Sequence, residues 1–177
     1  FFGATPLGEI YFDNGSPYVA PDYETKSSYS ANVVLSDGTD SVTQAFVLNI
    51  TNVNDVAPVF TSEATFSAAE NQTAIGSVVA TDTEGDEITF TVSGSELAIT
   101  SAGVLTFKTA PDYETKTSYS ATVTASDETN TSTQAITVNV TDVNEAPVFT
   151  SSATFSAAEN QTAIDTVTAT DADGDSV

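Results

Sequence analysis

The side chains able to do chemistry in this sequence are nearly all carboxylates, and they recur in short, regularly spaced groups. The heptapeptide APDYETK stands at residues 20–26 and again at 110–116, setting Asp22 beside Glu24 and Asp112 beside Glu114. DTEGD at 82–86 has a counterpart in DADGD at 171–175, NVNDVAPVF at 52–60 has one in DVNEAPVF at 142–149, and AENQ places Glu70. Clustered acids suit two chemistries: proton transfer between carboxyl groups, or coordination of a hard divalent cation by several oxygens. The sequence contains neither His nor Cys. That removes the usual nucleophile and base systems, disulfides, and thiolate or imidazole metal sites, so cation binding accounts for the acids better and the protein reads as a non-enzyme.

Charge narrows the partners. Asp plus Glu number 25 against 3 cations, Lys26, Lys108 and Lys116, for a formal net charge of -22. Binding to nucleic acid or to an anionic membrane surface needs basic residues that this chain lacks. Solubility in salty water is the plainer explanation of the acidity. With 40% hydrophobic residues in short regular runs, a packed core rather than disorder is expected. No apolar run is long enough to span a bilayer, and FFGATPLGE lacks the basic start of a signal peptide, so no direct membrane insertion is expected.

The elements that must position these acids are repeated with them. TFSAAENQTAI at 65–75 returns at 154–164, and SDGTDSVTQAFVLNITNVND at 36–55 is echoed by SDETNTSTQAITVNVTDVNE at 126–145. The period is 89 or 90, the difference being Val56, which has no counterpart before Ala146. A period of this length belongs to tandem small domains rather than to a solenoid. Residues 58–145 form one complete module, 1–57 the C-terminal half of a preceding one and 146–177 the N-terminal part of a third. Half a module leaves core and sheet edges open, so the chain is expected to be a fragment or to complete itself against neighbours.

Within 58–145 the apolar residues alternate: Ile88, Phe90 and Val92; Ala121, Val123 and Ala125; Ile136, Val138 and Val140. Period two in segments rich in Thr, Val and Ile predicts strands at about 59–69, 74–81, 87–93, 96–100, 104–108, 117–126 and 132–142. Seven antiparallel strands in one repeat predict an all-β chain of tandem Greek-key sandwiches, immunoglobulin-like in architecture. Alternating strand direction then sorts the loops. Glu70, Asp112, Glu114, Asp142, Asn144 and Glu145 fall at one end of the module, and Asp82, Glu84, Asp86 and Asp127 at the other. With a short Pro-stiffened link, Glu70, Asp112, Glu114, Asp142 and Glu145 meet Asp171, Asp173 and Asp175 of the following module. So many carboxylates repel without counter-charge, and calcium, which takes carboxylate, amide and backbone oxygens, is the economical solution.

In their order these motifs resemble the cadherin repeat, specifically the cadherin-like modules of large bacterial surface proteins. The likeness covers the chain except residues 1–19 and rests on AENQ, PDYE, the two linkers, DTEGD with DADGD, and SDG with SDE. It implies calcium at each junction. The first junction would use Asp22, Glu24, Asn52, Asn54 and Asp55 with Asp82, Glu84 and Asp127. The second would use Glu70, Asp112, Glu114, Asp142, Asn144 and Glu145 with Asp171 and Asp173. Asn52 and Glu84 each stand where the family has Asp, and with Val56 inserted the first junction is expected to bind more weakly. The resemblance implies an extracellular or cell-surface segment with a structural and adhesive role, hinged without calcium and rigid with it. Its partners would be neighbouring repeats or subunits, a cell-surface protein or a glycan. Two other readings remain open: a carbohydrate-binding module of a secreted polysaccharide-degrading protein, and a subunit of a virus particle or extracellular filament.

Ordinary structure competes for some of the same residues. DTEGD and DADGD also suit plain acidic turns. Tyr23 and Tyr113 are expected to pack over their turns, and NQT at 71 and 160 matches a glycosylation acceptor that Asn- and Thr-rich loops produce by chance. The segment YFDNGSPYVAPDYE is longer than its counterpart, and Asn14-Gly15 predicts a hairpin carrying Tyr11 and Tyr18.

Overall fold

A computed structural model describes residues 2–4, 10–12 and 20–177, and among these every regular element is a strand. The hairpin expected around Asn14-Gly15 falls at 13–19, outside the described residues. Strands β1 (Phe2–Ala4) and β2 (Ile10–Phe12) pair antiparallel, as do β3 (Ser28–Ser36) and β4 (Ser41–Asn49). The central stretch follows with β5 (Val59–Phe60), β6 (Thr65–Ala69), β7 (Ala74–Ser77), β8 (Ala80–Thr81), β9 (Thr89–Val92), β10 (Leu97–Ile99), β11 (Val104–Phe107), β12 (Ser118–Ser126) and β13 (Thr131–Thr141). Beyond it, β14 (Val148–Phe149) pairs with β15 (Ala169–Thr170).

The central stretch is a β-sandwich. One sheet has the order β6-β13-β12-β9 and the other β10-β11-β7. The alternation read from sequence becomes the core: Phe90, Val123, Ala125, Ile136, Val138 and Val140 are buried, with Leu97, Leu105 and Phe107 from the opposite sheet. Register carries this across strands, with Ala125 opposite Phe90, Val123 opposite Val92 and Ala121 opposite Ile136. Facing residues thus bring their apolar side chains to the same side of the sheet.

Two expectations about strands need correction. The segments 59–69 and 74–81, expected as single strands, are each broken, into β5 and β6 and into β7 and β8. The reason is that the first segment serves two partners. Val59 and Phe60 pair antiparallel with Thr81 and Ala80, whereas Thr65–Ala69 pairs with β13. Between them the chain crosses from one neighbour to the other, the amides of Thr61 and Ser62 both donating to the Val79 carbonyl. Sheet corners are commonly made by such switching strands. The β6–β13 pair is parallel, against the antiparallel expectation. Strand directions require it, because an even number of reversals separates the first and last strands of the module.

The β3–β4 hairpin repeats β12–β13 in sequence but not in burial. Val33 and Leu35 are 44% and 72% exposed, whereas their repeat counterparts Val123 and Ala125 are fully buried. Truncation should register this difference. Leu105→Ala is expected to cost the central module about 2–5 kcal/mol, and Leu35→Ala to stay within about 0.5 kcal/mol, as measured by denaturant unfolding of the dilute chain.

Candidate metal centre

Glu70 anchors one end of the module. It follows β6 directly and is 3% exposed, with its two carboxylate oxygens divided between two other segments. Oε2 accepts the Tyr113 amide at 2.8 Å and Oε1 accepts the Val143 amide at 2.9 Å. A buried carboxylate that receives backbone N–H groups is a strong acceptor and ties its donors together. Here it draws the turn after β11 and the exit from β13 to one point. The neighbouring Asn71 helps, its amide donating to the Pro111 carbonyl at 3.0 Å. Asn71 takes a left-handed backbone (φ 62°), which Asn tolerates better than most residues.

Around Glu70 the acids converge. Carboxylate oxygens of Glu70, Glu114 and Asp142 lie within 4.8 Å of one another, and so do those of Glu114, Glu145 and Asp173. Glu114 belongs to both groups. Asp173 reaches this end from beyond the 146–149 link, its Oδ2 accepting the Glu145 amide at 2.8 Å. Its other oxygen, Oδ1, is buried without a hydrogen-bond partner, and so is Glu145 Oε2. Asn71 donates to the remaining Glu145 oxygen.

Crowding shows in the acidities. Asp142 is raised above the usual Asp range, first by desolvation and then by the proximity of Asp173, Glu70 and Asp175. Desolvation also raises Glu145, partly opposed by the Asn71 hydrogen bond and reinforced by Glu70, Asp173 and Asp142. For Glu114 a hydrogen bond to its own backbone pulls downward, but desolvation and the charges of Glu70, Glu145 and Asp142 outweigh it.

A second gathering lies at the other end. Oxygens of Glu24, Asp55 and Glu84 lie within 4.8 Å of one another, as do those of Asp82, Glu84 and Asp86. Asp82 Oδ1 holds its own turn, accepting the Glu84 and Gly85 amides at 2.8 and 3.1 Å, whereas Oδ2 is buried and unpartnered. Glu84 accepts the Asp55 amide at 3.0 Å and the Val56 amide at 2.9 Å. The inserted Val56 therefore supplies an extra donor that occupies Glu84. Glu24 is raised: its own backbone hydrogen bond lowers it, but desolvation, Asp22 and Glu84 prevail.

The other residues singled out in the sequence stand outside these tight groups. Asp112 is held by the Thr115 amide and hydroxyl, both at 3.0 Å, and Asp22 likewise by Thr25. Thr25 is the main reason that Asp22 is lowered. Asp127 is buried, which pushes its pKa up, but bonds from Asn130, Thr129 and Asn54 more than offset this and leave it lowered. Asp171 accepts the Asp173 amide at 3.1 Å, Asn144 donates to the Glu145 carbonyl at 2.8 Å, and Asn52 is exposed. Asn54 Oδ1 accepts from Asn130 Nδ2 at 2.6 Å, bridging the first linker to the 127–130 loop. Sequence reasoning missed Asn130, which lies within three residues of an acid that it did single out, and read Asn71 only as part of a chance glycosylation triplet. Tyr113 is partly buried against the core, while Tyr23 is 38% exposed.

Comparison with known proteins bears on this geometry. A family model described as Bacterial Ig domain matches residues 54–141. Cadherin EGF LAG seven-pass G-type receptor 1 of Mus musculus is 34% identical over 209 residues, which take in 96% of the chain. The structure of protocadherin gamma B2 extracellular cadherin domains 3–6 superposes with a TM-score of 0.62 at 25% identity, over 85% of this chain and 44% of that one. The chain is made of cadherin-like sequence and fold. A protocadherin gammaB7 EC3–6 cis-dimer structure is similar to the same degree, with a TM-score of 0.63, 25% identity, and coverage of 85% of this chain and 45% of that one. This cadherin-like chain spans 7% of the curated relative's length. Among its described residues no helix is long and apolar enough to cross a membrane.

The raised pKa values give a signed expectation for this cluster. Without divalent ions, Asp142 and Glu145 should titrate above ordinary carboxyls. Their contribution to stability is therefore fully present below the unfolded pKa and lost as pH rises through the raised folded value. Side-chain carboxyl NMR in chelator should show those high midpoints, and calcium should move them below the ordinary range. Ordinary midpoints in chelator would contradict the crowding.

Proposed function

We propose that the chain is a stretch of a longer extracellular array of cadherin-like modules, divided at 1–57, 58–145 and 146–177, in which calcium between modules holds neighbours in line. One observation carries this reading. Glu145 Oε2 and Asp173 Oδ1 come from either side of the 146–149 link, are buried without a partner, and sit beside Glu114. A buried carboxylate oxygen left without a donor is costly, and a cation satisfies several at once. Glu114 would bridge two ions, one held with Glu70 and Asp142 and the other with Glu145 and Asp173. Asp112, Asn144 and Asp171 complete the second set by shaping turns or offering further oxygens.

The first junction fits calcium through Glu24, Asp55, Glu84, Asp82 and Asp86, with Asp22, Asn52, Asn54 and Asp127 flanking them. It is the weaker of the two, because the Asp55 and Val56 amides already engage Glu84. What calcium supplies is charge and coordination number. The chain's residues do the rest: Glu70 fixes two loops, the linker amides orient Glu84 and Asp173, and alignment gains the ion's differential affinity for the straight state. Such an array suits a structural or adhesive role at a cell surface, with neighbouring modules as the first partners. The extracellular domains named among the solved relatives support that setting.

Small-angle scattering of the chain, titrated from chelator to millimolar calcium with magnesium as control, tests this. A calcium-specific narrowing of the interatomic distance distribution toward a rod is expected. Glu145→Gln should weaken calcium binding by about an order of magnitude or more and raise ion-free thermal stability by removing one repelling charge. Scattering indifferent to calcium would refute the reading.

A further inference from the structure

The second junction carries Glu145 at the linker position where the first carries Asp55. The longer side chain has one more rotatable bond, and an ion site gains if that freedom is removed before the ion arrives. Other acids crowd it. Oxygens of Glu114 and Asp173 lie within 4.8 Å of a Glu145 oxygen, and Glu114 in turn stands with Glu70 and Asp142. Like charges at this range repel, so the crowding by itself drives the Glu145 carboxylate outward into water. It stays in place nonetheless, with Oε2 buried and without a hydrogen-bond partner.

The group that opposes the repulsion is Asn71, whose side-chain amide donates to Glu145 Oε1 from a position 74 residues earlier in the chain. The donor is neutral. A lysine at this point would offset the charge that a cation needs, whereas an amide orients the carboxylate and leaves its charge intact. Engaging Oε1 also decides which oxygen remains for an ion, namely Oε2.

The backbone of Asn71 fixes where that amide can reach. Its N–H donates to the Pro111 carbonyl at 3.0 Å, and its φ of 62° lies in the left-handed region. Gly takes that region freely, and Asn and Asp take it more readily than other residues. Asn160, at the same place in the second AENQ, has a φ of 69°, so this conformation goes with the motif. Glycine would satisfy the backbone equally well. What asparagine adds is the side-chain amide, and that amide is engaged by Glu145.

We infer that Asn71 is a positioning residue of the second junction, holding Glu145 through Oε1 so that Glu145 meets the ion shared with Glu114 and Asp173 through Oε2 alone. The inference rests on the calcium reading of that junction. Asn71 touches no ion in this arrangement and acts through Glu145. A single-oxygen contact is one of the two modes in which calcium accepts a carboxylate.

Amide NMR of the whole chain during a calcium titration tests it, the Val143 and Glu145 amides reporting the second junction and the Val56 amide the first. Asn71→Gly keeps the left-handed backbone and removes the side-chain donor. It should weaken calcium binding at the second junction about 10- to 100-fold and leave the first junction unchanged. Because Asn71 acts through Glu145, Asn71→Gly combined with Glu145→Ala should bind no more weakly than Glu145→Ala alone. A merely structural role would instead lower the thermal transition in chelator and add to the Glu145→Ala loss. If Asn71→Gly does shift that transition, crystals of the unaltered chain grown with calcium decide the matter. The Asn71 amide should then remain on Oε1 with the ion on Oε2, and an ion held by both Glu145 oxygens would overturn the inference. Weakening by Glu145→Ala but not by Asn71→Gly, or losses that add, would overturn it too while sparing the calcium reading. If neither variant alters calcium binding, that reading of the junction fails along with it.

Discussion

A carboxylate removed from water must be hydrogen-bonded, protonated or bridged to a cation, and this constraint governs the junctions of the chain. The protein has 25 acids and 3 lysines. Two of its lysines are engaged away from the acid clusters, Lys116 with Glu96 at 2.6 Å and over the Tyr119 ring, Lys26 over the Tyr29 ring. Neutralisation from within the chain is therefore limited to backbone amides and a few Asn side chains. Where these suffice, as at Glu70, a carboxylate becomes a brace. Where they fall short, as at Glu145 and Asp173, an oxygen is left facing others of its kind.

The same economy is visible within the acidic turns. Asp82 spends one oxygen on the amides of its own loop and leaves the other buried and unpaired. Asp173 spends one on the Glu145 amide and leaves the other in the same state. In each case folding fixes the side chain through one oxygen and presents the second, which is the preorganisation that a cation site needs. The two junctions differ in how far this goes. Glu84 is one methylene longer than Asp173 and meets two linker amides, one of them supplied by the inserted Val56.

Much of this was legible in the residues. Period-two segments gave the strands and the core, because a half-buried strand must alternate, and alternating strand direction sorted the acidic loops between the two ends of the sandwich. The crossing of residues 59–69 between two partners was not legible, since alternation says which face is buried but not which neighbour is paired. Nor did acid spacing show which carboxylates their own turns would consume. Asp22, Asp112 and Asp127 are each followed two or three residues later by a Thr or Asn whose amide they cap, and that local pattern was the signal available. The roles of Asn71 and Asn130 were not legible, because an amide side chain gains its role only from the carboxylate or amide brought to it by the fold.

The central claim is that the buried, unpartnered oxygens of Glu145 and Asp173 are cation ligands. Diffraction from crystals grown with calcium, and with terbium to give an anomalous signal, addresses it directly. The account predicts an ion at about 2.3–2.6 Å from both oxygens and shared with Glu114. A well-ordered junction in saturating calcium, with no ion there and those oxygens bonded to water or to protein donors, would contradict it.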